Sequence, residues 1–290
     1  MINRRELNAM VQLLDDNDPE VYNHIFQKLV SFGKNAIPAL EEIWSQSQDA
    51  YIQQKLEEVI HSIYYEDLLL DFSKWAESEN PDLLEGYFLV SRYYYPDLDF
   101  DNIKKQIFKI KQRIWVELNY NQSALEQIHV FNQVFYGVFR FEASAGKHLE
   151  YSEYCLNNLL ETRKGNALSL GILYQIIAND LNLPVYGVTL LKHYILCMCK
   201  SSIENFSSNN KPQKEILFYI NPFNRGSVFS RNEIKDYLQR LDAPEEPAFF
   251  NPASNKSVIS ELIYNLMDLH RHLGYLDKAE DLSRLRKILD

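Results

Sequence analysis

The hydrophobic period of this chain changes at Leu183-Pro184, and that change limits what it can fold into. Before it, apolar residues recur at the three-to-four spacing of helices; Leu168, Ile172, Leu173, Ile176 and Ile177 are the last such set. After it come three short runs, Val185–Leu190, Tyr194–Cys199 and Ile216–Ile220, dense in β-branched and aromatic residues. They read as strands. The polar stretch Ser201–Lys214 between the last two is expected to be a mobile hairpin loop. Helical spacing then returns, so a small antiparallel sheet is embedded in an otherwise helical chain. The fold class is α+β, predominantly helical.

The helical part before the sheet is punctuated clearly. Asp18-Pro19-Glu20 supplies a cap, a proline at the first helical position and an acid in the first turn. Gly33 stops that helix, and Ala36-Ile37-Pro38-Ala39-Leu40 starts the next. Further helices are expected at about 51–63, 66–77, 81–92, 102–116, 123–136 and 152–162. One hairpin near the start resembles a HEAT-type repeat, and no second clean copy follows. Arg140–Tyr151 loses periodicity and reads as a surface loop. Ser230-Arg231-Asn232-Glu233 is a capping box opening a helix to about Leu241. Asp242–Ser254, with three prolines, reads as a linker, and the closing pair 257–273 and 277–289 resembles a TPR-like hairpin. The expected layout is a helical region 1–138, a core 139–242, and a linker with hairpin 243–290.

Composition excludes several functions. The net charge is −10 and the pI about 5.3, unsuited to a nucleic acid, whose phosphates need clustered cations. The one basic stretch, Lys104, Lys105, Lys109, Lys111 and Arg113, alternates with isoleucines and reads as a solvated helix face. No apolar run approaches the ~18 residues that span a bilayer, and the start carries no signal-peptide pattern. No membrane association is expected, and a cytoplasmic location is. Cys155, Cys197 and Cys199 are too few and wrongly spaced for a disulfide framework or zinc site. There is no phosphate-binding glycine loop and no His-Glu-x-x-His. His129, His148, His193, His270 and His272 are scattered. No cofactor or metal is expected.

The block Leu156-Asn157-Asn158-Leu159-Leu160-Glu161-Thr162-Arg163-Lys164-Gly165, Ser169–Tyr174, Leu181–Val188, His193 and Ile220–Gly226 resembles the SirB-type transglutaminase-like family. The resemblance implies a papain-related core with a helical region before it and a TPR-like tail after it. In the wider superfamily a cysteine at a helix N-terminus feels the helix dipole and a nearby histidine, so its thiolate forms readily. The histidine moves the proton, and a carboxylate or amide on the next strand orients it. Carried over residue by residue, the nucleophile position falls on Ala167, the base on His193 and the orienter on Asn221. Asn in the third role is compatible with Cys-His-Asn chemistry. A methyl group in the first role is not, since it has neither a lone pair to attack with nor a proton to give.

Two substitutes remain. Ser169 lies two residues on, roughly 200° around the helix from Ala167. Cys155 lies in the preceding helix. Cys197 is roughly 13 Å along a strand from His193 and is no partner for it. The expectation is therefore a non-enzyme that binds a protein or peptide partner. The alternative is a cysteine-protease-like hydrolase or acyltransferase using Ser169 or Cys155 with His193. A third reading, a structural scaffold, has His193 satisfied in the core.

Overall fold

The computed structural model describes residues 4–15, 18–119, 121–144, 150–191, 193–201 and 215–290. The expected loop Ser201–Lys214 and His148 fall almost wholly outside them. The described chain divides into two units, residues 1–74 with 92–96, and residues 75–91 with 97–290.

The first unit holds α1 (Arg4–Gln12), α2 (Pro19–Ser31), α3 (Ile37–Gln46) and most of α4 (Ala50–Glu77). Asp18 caps α2 by accepting from the Glu20 amide at 2.9 Å. Leu7, Val11, Leu29, Leu40, Leu56 and Val59 form one buried cluster. Arg92 forks onto Asp71 and Asp67 at 2.9 and 2.6 Å. The two helices expected at 51–63 and 66–77 are one. No Gly or Pro lies between Ile63 and Glu66, so nothing interrupts the hydrogen-bond ladder once it has started.

The second unit carries α5 (Leu83–Arg92, up to Ser91), α6 (Phe100–Glu117) and α7 (Ala124–Asn132), which runs on into a π-helical stretch, Gln133–Val138. Next come β1 (Glu142–Ala143), α8 (Leu156–Thr162) and β2 (Lys164–Gly165). β1 and β2 pair in parallel, Glu142 opposite Lys164, so the expected loop after Arg140 begins as a strand. Two residues are too few for any periodicity to reveal them.

α9 (Ala167–Asp180) leads into β3 (Val185–Leu190), β4 (His193–Cys199), β5 (Ile216–Asn221) and β6 (Ser227–Phe229), an antiparallel sheet in sequence order. β6 goes beyond the three expected strands. α10 (Arg231–Arg240) follows, then α11 (Asn255–Leu273) and α12 (Leu276–Lys287). Gly274 ends α11 with φ +81°, the left-handed conformation that glycine adopts without a Cβ penalty.

The sheet is covered on both faces, which is why its central strand is apolar without alternation. On one face Tyr194 packs over Gly171 of α9, where an added Cβ would stand 2.7 Å from its ring. On the other, Ile195, Cys197 and Cys199 join Ile234 and Leu238 of α10 in a buried cluster. That cluster also contains Phe250, from the expected linker. Tyr219 donates to the Phe250 carbonyl at 3.0 Å and the Ala253 amide donates to Gly187 at 2.8 Å. The segment is a packed layer, because burying Phe250 and pairing its backbone outweighs the freedom its prolines leave.

Candidate functional site

The start of α9 is set by four consecutive residues. Arg163 ends α8 in the left-handed region at φ 64°. Lys164 and Gly165 pair with β1. Asn166 is extended, and its Oδ1 accepts from the amides of Leu168 and Ser169 at 3.0 and 2.9 Å. Ala167 is therefore the first helical residue, at the end of α9 where the backbone dipoles leave about half a positive charge.

Ala167 lines a cavity of about 550 Å³ together with His193 and Asn221. His193 opens β4, opposite Leu190, and is exposed. Its ring meets Tyr237 of α10 edge-on, with centroids 5.7 Å apart. Asn221 closes β5 and is half-buried. Leu190, Phe223, Phe229 and Tyr237 supply apolar wall, so few polar groups converge in a mostly apolar concavity.

The valences of these groups limit their chemistry. Asn221 Oδ1 accepts from the amides of Phe223 and Asn224 at 3.0 and 3.1 Å. Both lone pairs of that oxygen are thus engaged in shaping the turn, leaving the Nδ2 donors. Among the described residues His193 and Asn221 share no hydrogen bond, although both line the cavity.

Ser169 and Cys155 do not line this cavity. Ser169 is fully buried, and its Oγ donates to the Asn166 carbonyl at 3.3 Å. Cys155 is buried at the foot of α8, its Sγ 3.4 Å from the Tyr151 carbonyl, and burial pushes its thiol up to about 12. Both neighbour Tyr87 of α5, whose phenol is raised well above its ordinary value, by burial first and Cys155 next. Cys197 and Cys199 are buried on the α10 face of β4. Cys197 is raised too, by its hydrogen bond with Cys199 and then by burial. Among the described residues no His, Cys, Asp and Glu cluster could hold a metal ion, and no helix is long and apolar enough to cross a membrane.

Sequence reasoning missed two features of the site. Glu233 also lines the cavity. Its Oε2 accepts from the Ser230 amide at 2.7 Å and hydroxyl at 3.0 Å. The backbone bond first, and the hydroxyl next, hold its carboxyl below the usual range. The capping box was legible, but not that its acid lines the same cavity as His193.

The second is a brace on the turn after β5. Asn132, last residue of α7, accepts from Tyr174 Oη at 2.9 Å and donates from Nδ2 to the Gly226 carbonyl at 2.9 Å. Tyr136, in the π-helical stretch, donates to the Pro222 carbonyl at 2.9 Å. Gly226 has φ +71°, and an added Cβ there would run into the Asn132 carboxamide. The wall holding Asn221 and Phe223 is thus fixed by residues some 90 positions upstream. Such π turns occur frequently at functional sites.

Comparison with known proteins identifies a family for this chain. The model of the transglutaminase-like superfamily matches residues 101–263. A protein named UPF0162 from Xylella fastidiosa (strain Temecula1) is 24% identical over 217 residues, covering 70% of each chain. Protein SirB1 of Salmonella typhimurium is 26% identical over 193 residues, 66% of this chain and 67% of its own. A UPF0162 protein of Buchnera aphidicola subsp. Baizongia pistaciae is 28% identical over 202 residues, 69% of this chain and 66% of its own. No solved structure matches the chain.

Proposed function

Because this chain belongs to the transglutaminase-like superfamily, whose model covers more than half of it, we propose that it is a non-catalytic member whose cleft binds a protein or peptide. The observation that carries this reading is Ala167. It stands at the N-terminus of α9, in one cavity with His193 and Asn221, where the superfamily's chemistry needs a thiol. A proton acceptor without a nucleophile can bind and orient a ligand but cannot form an acyl-enzyme.

Three further facts support it. The two substitute nucleophiles are buried against Tyr87, away from the cavity. The oxygen that would orient the imidazole is occupied by the turn. The cavity is open to solvent at His193, and its size suits a side chain or short peptide segment. In this reading His193 and Asn221 are remnants of the base and orienter that now serve recognition, and the flanking helices extend the binding surface.

The test is direct. Purified protein is assayed for hydrolysis and for cross-linking of amide substrates, with His193→Ala as the control. No turnover above the control is expected. Turnover that disappears in His193→Ala would restore the hydrolase or acyltransferase reading.

A further inference from the structure

The basic stretch noted in the sequence forms α6, and the structure divides its residues sharply. Ile103, Ile107, Ile110 and Ile114 are buried. The opposite side carries Phe108, Trp115 and Val116, which are 59, 58 and 64% exposed. Phe108 and Trp115 lie seven residues apart, two turns along one face. Scattered exposed apolar residues need no explanation, but two large aromatic ones aligned on one face do.

Charge selects the occupant. From Asn102 to Val116 the helix holds five cations and no carboxylate, in a chain of net charge −10. Lys104 pairs with Asp101 at 2.7 Å, Lys111 with Asp180 at 3.5 Å, and Arg113 with Glu117. Lys105 and Lys109, which flank Phe108, have no ion-pair partner among the described residues. A groove of about 1020 Å³ runs beside them, also lined by Phe100, Phe108 and Gln112. Its carboxylates outside ion pairs, Asp82 and Glu85, belong to the start of α5 and not to α6.

We infer that the outer face of α6 is a docking site for an acidic amphipathic helix of a partner protein. The partner's apolar stripe covers Phe108 and Trp115, and its carboxylates meet Lys105 and Lys109. Aromatic anchors ringed by complementary charge are the usual centre of such an interface. Two ammonium groups outside close ion pairs are too few for a nucleic acid, whose binding needs a run of neutralised phosphates.

The probes are a fluorescein-labelled synthetic helix with Leu on one face and Glu on the other, its Lys-for-Glu counterpart, and a poly-dT oligonucleotide. Binding is read by anisotropy on the full chain. The Glu helix is expected to bind, more weakly as salt rises through roughly 0.05–0.5 M. Phe108→Ser with Trp115→Ser should weaken it about tenfold or more. Lys105→Glu with Lys109→Glu should do the same and create affinity for the Lys helix. All four residues lie on the solvated helix surface, and circular dichroism confirms that the variants fold. His193→Ala should leave binding unchanged, which separates this site from the cavity. The inference is overturned if the Glu helix does not bind, if both double variants bind it like the wild type, or if the Lys helix or oligonucleotide binds wild type equally well.

Discussion

α9 has two sides with opposite properties. At the front, Ala167 looks into a cavity with His193, Asn221 and Glu233, groups that accept, donate or carry charge. Behind it, Ser169 and Cys155 are sealed against Tyr87, with burial holding the thiol and phenol neutral. Among the described residues the cavity side has no thiol or aliphatic hydroxyl, and the side that has them is closed to solvent. A catalytic constellation therefore cannot be recognised by residue types alone. The same serine two positions earlier in the helix would have an entirely different meaning.

The largest effect expected from breaking this contrast comes from Ala167→Cys. A thiol at the front should be alkylated about a hundredfold faster at pH ~6.5 than Cys155, Cys197 or Cys199, and His193→Ala should remove most of the gain. Mass-spectrometric alkylation rates measure it. An Ala167→Cys thiol as slow as the buried three would show that the front cannot activate a nucleophile.

Asn132→Ala comes next, because it tests the brace behind the front wall. It removes two hydrogen bonds and leaves the buried Tyr174 hydroxyl without its acceptor. A loss of about 2 kcal/mol in urea unfolding is expected. The Ala167→Cys thiol should also lose part of its reactivity in that background, because the wall carrying Asn221 loosens.

The sealed back is tested by pH. The folded Cys155 pKa of about 12 lies above that of an unfolded thiol, roughly 8.5. The neutral form is favoured on folding. Its stabilisation is fully present below the unfolded value and is lost as pH rises toward the folded one. Between pH ~9 and ~10.5 the wild type should lose up to about 1.4 kcal/mol per pH unit more than Cys155→Ala. Parallel stability curves for the two proteins would mean that the back is wetter than the structure has it.

The smallest effect is expected from Ser230→Ala. Losing the cap should cost about 1 kcal/mol, while the reactivity of an Ala167→Cys thiol changes less than twofold. A larger kinetic change would make Glu233 an electrostatic partner of the cavity and not only a helix cap.

Local signals in the chain were readable where one residue decides a local outcome. Asn166 before an apolar run marks the start of α9, and Ser230 with Glu233 marks α10. The change of period at Leu183-Pro184 marks the sheet. The break expected between 63 and 66 and the packing of the linker 242–254 differ from the sequence reading for different reasons. The first overlooked that no Gly or Pro stands there to interrupt the ladder, and the burial of Phe250 is set by residues far along the chain. The two-stranded β1–β2 pair was invisible because a strand of two residues has no period.

By itself, the sequence determined the family, the α+β class, the helix start at Ala167 and the absence of a thiol there. These depend on residue identity and near-neighbour spacing, which a linear pattern carries in full. Only the tertiary structure decided that Ala167, His193, Asn221 and Glu233 share one cavity while Ser169 and Cys155 are closed off behind it. Those relations depend on which side of α9 meets the sheet, and on a turn held by Asn132 and Tyr136 from some 90 residues away. Long-range packing fixes such directions, and no local spacing encodes them.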